Sequence, residues 1–311
     1  MTGGAGFIGT TLAGLLAPDN EITLFDNLHR DAFSGSPLAR HPRVRLIQGN
    51  VLDLPALREA MKGAQIVIHL AAIAGVDEVL KSPVRTMEVN VIGTYNVLEA
   101  ASTLDNLEVF LDFSTSEVFG THAYKVDELH QTAQGHVGEA RWTYAVSKLV
   151  GEHLSHAYWH EKGIPTVSVR PFNVYGPGQV GVGAIQQFML RVVRGEDLVV
   201  KGDGSQIRAW CHVDDMVAGT LLCLEKREAV GQVFNIGNPR STVTIHDLAL
   251  RIIQISGAPL KIVYEPLDYV DIEIRIPNID KARTLLGFQP KVDLDEGLRR
   301  TYEWFKARHG S

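Results

Sequence analysis

Tyr144 and Lys148 stand four residues apart in Arg141-Trp142-Thr143-Tyr144-Ala145-Val146-Ser147-Lys148, a spacing that puts both on one face of a helix, one turn separated. A fixed ammonium one turn from a phenol favours the phenolate and lowers its pKa towards a value useful for proton transfer. Tyr144 is therefore a candidate acid/base, with Lys148 as its partner. The same spacing recurs at Tyr158 and Lys162. There Lys162 runs into Gly163-Ile164-Pro165, a helix stop, and is expected to lie frayed in solvent.

Upstream of Tyr144, Ser114-Thr115-Ser116-Glu117 closes an apolar run, Val109 to Phe113. Thr115 or Ser116 is placed to hydrogen-bond a substrate hydroxyl beside Tyr144, and Glu117 supplies a carboxylate able to move a second proton. Ser and Thr before Glu also start helices and turns, so a capping role stands beside the chemical one. Further back, Gly4-x-Gly6-x-x-Gly9 opens the apolar-faced helix from Phe7 to Leu16. Glycines so spaced give a tight turn, a close approach of backbone to a pyrophosphate, and close packing of helix on strand. Glu21-Ile22-Thr23-Leu24-Phe25-Asp26 follows as a strand ending in an acid, where a carboxylate accepts hydrogen bonds from ribose hydroxyls. It repels a 2′-phosphate, which favours NAD over NADP. Arg170, Arg208 and Arg275 carry forks suited to a diphosphate or carboxylate, and the role of an ordinary surface or ion-paired arginine stands beside that one. His69, inside a strand, is expected to be a satisfied core histidine without a chemical role.

Short apolar strands near 44–48, 66–70, 109–113 and 166–170 alternate with helices near 54–61, 83–103 and around Tyr144. That rhythm predicts an α/β fold with a doubly wound parallel sheet covered on both faces. Ligands of such sheets bind beyond the carboxyl ends of the strands. The glycine turn, Asp26, Ala71-Ala72 and Ser114 to Glu117 all follow strands and so converge on one rim. A strand should also precede the glycines, yet only Met1 and Thr2 stand before Gly3. Either the start lies upstream or the central strand is nearly absent. After about Phe172 the rhythm changes, Val233 to Gly237 adds one further strand, and the remainder suits a smaller C-terminal α/β lid. The expected division is 1–172 plus about 209–236 for the dinucleotide unit, and about 173–208 plus 237–311 for the substrate unit.

The 311 residues, 45% of them hydrophobic and 21% charged, describe an ordinary globular chain. A formal charge of −6 leaves no electrostatic footprint for nucleic acid, and no apolar run spans a membrane. Cys211 and Cys223 are too few for a disulfide framework or a thiolate metal site, so no metal is expected. The cytosol is the expected location.

Thr2 to Gly9, His69-Leu70-Ala71-Ala72, Asn90-Val91-Ile92-Gly93-Thr94, Tyr144 to Lys148 and Arg170 to Pro177 stand in that order along the chain. Together they resemble the extended short-chain dehydrogenase/reductases, the NAD-dependent nucleotide-sugar epimerases, dehydratases and decarboxylases with a Rossmann sheet. The resemblance covers essentially the whole chain. It implies that Tyr144 takes the proton of the sugar 4-hydroxyl while NAD oxidises C4, that Lys148 holds the nicotinamide ribose, and that Thr115 hydrogen-bonds the sugar. It implies NAD contacts from Gly3, Gly6, Phe7, Ile8, Gly9, Asp26, Asn27, Asn50, Val51, Leu70, Ala71, Ala72, Asn90, Ser114 and Pro171, besides Tyr144 and Lys148. Asn173, Arg208 and Arg275 match positions that hold a nucleotide diphosphate, UDP by preference. A homodimer through the helices near 83–103 and 141–161 is implied as well.

Thr115-Ser116-Glu117 and Ser82-Pro83-Val84-Arg85-Thr86 resemble UDP-glucuronate decarboxylases, the favoured branch. There C4 oxidation makes a β-keto acid, and Glu117 would help reprotonate C5. Gly178 stands where decarboxylases commonly carry arginine, and Ala74-Gly75-Val76-Asp77 is more like the loop of epimerases. A 4-epimerase or 4,6-dehydratase therefore stays open. A non-catalytic NAD sensor is disfavoured because Thr115, Glu117, Tyr144 and Lys148 are all present.

Overall fold

A computed structural model describes residues 1–310. Its large sheet is wholly parallel, in the spatial order Val44–Gln48, Ile22–Asp26, Thr2, Ile66–His69, Val109–Phe113, Thr166–Pro171 and Val233–Ile236. The doubly wound expectation holds, and so does the extra strand at 233–236.

Among the described residues, Thr2 alone stands in the position of the strand that precedes the glycines. Thr2 bridges both Phe25 and His69. Its N–H donates to the Ile68 carbonyl (3.0 Å), its own carbonyl accepts from Leu70 N–H (2.9 Å), and Gly3 N–H donates to the Phe25 carbonyl (2.9 Å). The chain turns at once because Gly3 adopts φ +65°. A Cβ there would lie 2.5 Å from the Ala71 nitrogen, so only glycine fits. The order of strands reverses at this point, which places the glycine turn in the crevice between the two halves of the sheet.

Residues 83–103, expected as one long helix, form an α-helix at Pro83–Met87, a π-turn at Glu88–Ile92 and a second α-helix at Gly93–Ala101. The Asn90 side chain, fully buried in that turn, is the physical reason. It accepts from Ile73 N–H (2.8 Å) and donates to the Ile73 carbonyl (3.0 Å) and to Ser147 Oγ (2.9 Å). Three side-chain bonds offset the irregular ladder. The helix Thr143–Lys162 buries Ala145, Lys148, Gly151, Glu152, Ser155 and Tyr158, a stripe at helical spacing, and stops at Gly163 in the left-handed region (φ 69°).

Lys162 does not fray. It donates to Glu99 (2.9 Å), and Tyr158 bonds the same carboxylate, so this pair pins two helices together. A second sheet runs Thr242–Thr244, Ile207–Ala209, Ile274–Pro277, His122–Val126. The strand His122–Val126 lies within the segment 1–172 yet leaves the large sheet to pair with Ile274–Pro277. No helix among the described residues is long and apolar enough to cross a membrane.

Candidate active site

Beyond the carboxyl ends of the strands lies a cavity of about 570 Å³, lined by Gly3, Gly6, Phe7, Ile8, Gly9, Asp26, Asn27, Asn50, Val51, Leu70, Ala71, Ala72, Ser114, Thr115, Tyr144, Lys148 and Pro171. Its floor is the glycine turn. A Cβ at Gly9 would approach the Gly4 carbonyl to 2.6 Å, and one at Gly6 would press on the Gly3 carbonyl at 3.3 Å, so both positions are tight and Gly6 brings bare backbone to the cavity. The helix Phe7–Leu16 begins there with no side-chain cap. Its first amides remain available to an anion, as a pyrophosphate requires.

Asp26 ends its strand beside that turn. One oxygen accepts from Ala5 N–H (3.0 Å) and the other from Leu28 N–H (2.8 Å). Burial pushes the carboxyl up, and the amides pull it back. Each oxygen keeps a second lone pair for a ribose hydroxyl. A dinucleotide fits this cradle.

At the other end of the cavity, Thr115 and Tyr144 meet. Thr115 Oγ1 accepts from Glu117 N–H (3.2 Å) and so caps the short turn Ser116–Phe119. Capping and chemistry are served by one residue. The phenol of half-buried Tyr144 is pushed above its ordinary value by burial, then by the Glu117 carboxylate, while the Thr115 hydroxyl pulls it down. A lowered phenol was expected from Lys148; here desolvation prevails. The Lys148 ammonium points at Asp112, with Nζ 3.6 Å from Oδ1.

Glu117 is not on the cavity wall. It sits behind Thr115, bonded to Arg141 and 3.5 Å from Arg275 Nη2. Burial would raise its carboxyl, but the two guanidiniums outweigh that and hold it below the usual range. Glu117 is thus a carboxylate at rest, a base or a positioning group, and becomes an acid only when the arginines turn elsewhere. Arg275 Nη1 also donates to Asn173 Oδ1 (3.2 Å), and Asn173 Nδ2 donates to the Ala209 carbonyl (2.8 Å) from a left-handed backbone (φ 39°). Arg208 pairs with Asp271 at 3.2 Å. Burial first, and then neighbouring Arg275, lowers its guanidinium to about 10. Asn173, Arg208 and Arg275 therefore form one cluster with Glu117, beside the cavity rather than in its wall.

Three sequence expectations are corrected. Ser116 is buried in the turn and does not line the cavity, because the tight turn rotates it inward. Asn90 buttresses the Ala72-Ile73 segment from behind instead of facing the cofactor space. Arg170 forms a buried bidentate pair with Glu152 (2.8 and 2.7 Å), to which Ser114 Oγ also bonds, so its fork is already taken by a carboxylate. His69 bridges Thr2 Oγ1 (2.6 Å) and Thr94 Oγ1 (2.9 Å), a satisfied core histidine.

Arg141 was missed. Nothing but its position three residues before Tyr144 could have flagged it, since an arginine at a helix start ordinarily faces water. Arg30 was missed as well; it lines the cavity mouth and donates to the Ala74 carbonyl (2.7 Å).

Residues 1–237 match the NAD dependent epimerase/dehydratase family. The chain is 32% identical to a UDP-N-acetyl-alpha-D-glucosaminuronate decarboxylase of Bacillus cytotoxicus, over 98% of this chain and 97% of that one. It is 34% identical to UDP-glucuronic acid decarboxylase 3 of Arabidopsis thaliana, over 99% and 89%. Among solved structures, UDP-glucuronic acid 4-epimerase from Bacillus cereus, in complex with UDP-glucuronic acid and NAD, superposes with a TM-score of 0.88 at 29% identity, covering 99% of this chain and 98% of that one.

Proposed function

Because this chain belongs to the NAD-dependent epimerase/dehydratase family, we propose that it decarboxylates a UDP-linked uronic acid through transient oxidation at C4. One observation carries the choice of an anionic sugar. Arg141, Arg208 and Arg275 converge beside Thr115 and Tyr144 against only two acids, Glu117 and Asp271. The surplus charge suits a diphosphate and a sugar carboxylate.

Bound NAD supplies the reversible oxidation at C4. The protein supplies proton transfer and placement. Tyr144 takes the proton of the 4-hydroxyl, and Thr115 holds that hydroxyl towards it. Beside a C4 carbonyl the C5–carboxylate bond breaks, carbon dioxide leaves, and the electron pair passes into the C4–C5 enolate. A proton returned to C5 replaces the lost carboxylate, and as C4 is reduced again Tyr144 gives its proton back to the C4 oxygen. The arginines hold the departing carboxylate, and Glu117, displaced from them by it, is free to take up and deliver that proton. Asp26 and the uncapped helix at Phe7 hold the ribose and pyrophosphate of the cofactor.

The 4-epimerase reading is the second one. It is favoured by the arginine clamp on Glu117, which leaves no acid at rest for C5. A proton-NMR time course with NAD and UDP-glucuronate separates them: UDP-pentose and carbon dioxide support decarboxylation, and UDP-galacturonate transfers the assignment to epimerase. Tyr144→Phe should lose about 10²–10⁴-fold in kcat while keeping NAD; full activity would refute the mechanism. We further propose a homodimer through the helical segment 83–101, whose outer face exposes Val84, Met87, Ile92 and Tyr95.

A further inference from the structure

Asp112 occupies an interior strand of the large sheet, in the otherwise apolar run Val109–Phe113, paired on one side with His69 and on the other with Ser168. Side chains alternate along a strand. Asp112 therefore shares its face with Phe110, which packs against Val97, Leu98 and Tyr158 of the covering helices. The carboxylate is 0% exposed, and among the described residues neither of its oxygens has a hydrogen-bond partner. A buried charge left so costs several kcal/mol unless it is paired. The cation in reach is Lys148, 2% exposed, at 3.6 Å.

The surroundings are shaped to leave that pair alone. Glu152, the next acid along the helix, is taken bidentately by Arg170 and does not compete for Lys148. His69, on the adjoining strand, is held by two threonine hydroxyls, and burial keeps it uncharged. The helix lies directly over the carboxylate: a Cβ at Gly151 would make an ordinary contact, 3.5 Å, with Asp112 Oδ2.

We infer that Asp112 is a positioning residue, the fixed counter-ion of Lys148, which seats the ammonium against the sheet and offsets part of its field at the Tyr144 phenol. The inference rests on the role proposed above for Tyr144 and takes Lys148 as the cation beside it. Lys148 thus acts between two partners, the Asp112 carboxylate behind it and the cavity in front. Removing the rear charge strengthens its pull on the phenolate. Glu117 opposes the phenolate in the same sense as Asp112, and Arg275 favours it; both are unchanged by this substitution.

The test is the kcat/KM–pH profile of the NAD-loaded enzyme. Asp112→Asn should move its acidic limb down by about one pH unit. An unmoved limb, or one displaced upward, overturns the inference; a purely structural role would lower activity at every pH and leave the limb in place. Thermal melting decides independently of turnover, so a failure of the proposed reaction is not mistaken for a failure of the pair. Lys148→Met strands a buried carboxylate, and adding Asp112→Leu to it should raise the melting temperature. A double variant that melts below Lys148→Met refutes the pairing.

Discussion

Replacing Glu117 by Gln removes one charge and almost no volume, which isolates the electrostatics of the arginine cluster. In the native protein the Glu117 side chain is 15% exposed and Arg141 and Arg275 are 3% and 9% exposed. The other nearby acid, Asp271, is engaged by Arg208. The variant therefore leaves two buried guanidiniums facing a neutral amide. Breaking a buried pair by deleting one partner costs about 3–5 kcal/mol. The Gln oxygen still accepts from one arginine, so the lower end, about 3 kcal/mol, is expected. At roughly 2 °C per kcal/mol for a chain of this size, melting should fall by about 6 °C. Scanning fluorimetry of the NAD-loaded proteins measures this directly. Saturating UDP-glucuronate should restore more of the loss than UDP-glucose does, because only the former brings a carboxylate to the stranded arginines. A fall below about 1 °C, or equal rescue by both sugars, would refute the reasoning that the cluster is an anion site occupied at rest by Glu117.

Gly3→Ala forces a Cβ within 2.5 Å of the Ala71 backbone at a positive φ; it should destabilise by about 2 kcal/mol or more and abolish the thermal shift given by NAD, read in the same melting assay. His69 is held neutral, with its folded pKa depressed by burial. An unfolded histidine takes a proton near about 6.5, so stability is full above that pH and is lost below it, by up to about 1.4 kcal/mol per pH unit. Melting temperatures between about pH 7.5 and 5 should show this slope in wild type and a shallower one in His69→Gln. Ile92→Asp places a charge in the exposed apolar face of the segment 83–101 and should give monomers in sedimentation velocity, with activity per chain as a second readout.

The parallel sheet was legible because its strands are short apolar runs set between helices, and the cofactor cradle because glycine spacing and a strand-ending acid are local signals. Tyr144 and Lys148 were legible for the same reason. What was hidden depends on partners distant in the chain. Thr2 acts as a strand only because Phe25 and His69 flank it. The π-turn exists because Asn90 finds Ile73 and Ser147. Arg170 has the same fork as Arg275, and only the tertiary structure gives one to Glu152 and the other to Glu117. Asp112 was visible as a lone acid in an apolar run, but its meaning required seeing which helix lies across that strand.

The π-turn at Glu88–Ile92 also joins two surfaces that face different ways. Before it and in its first turn, Ser82, Arg85 and Val89 line the cavity; after it, Thr94, Val97, Leu98 and Ala101 are buried. A regular helix advances 100° per residue. Losing a single residue from the turn would restore an unbroken α-helix and swing its first two turns by about that angle, turning Arg85 and Val89 out of the cavity while the second half stayed packed. Length here acts as a rotational setting. Deleting Val91 or Ile92 would disable the cavity wall while leaving every side chain that lines it unaltered in kind.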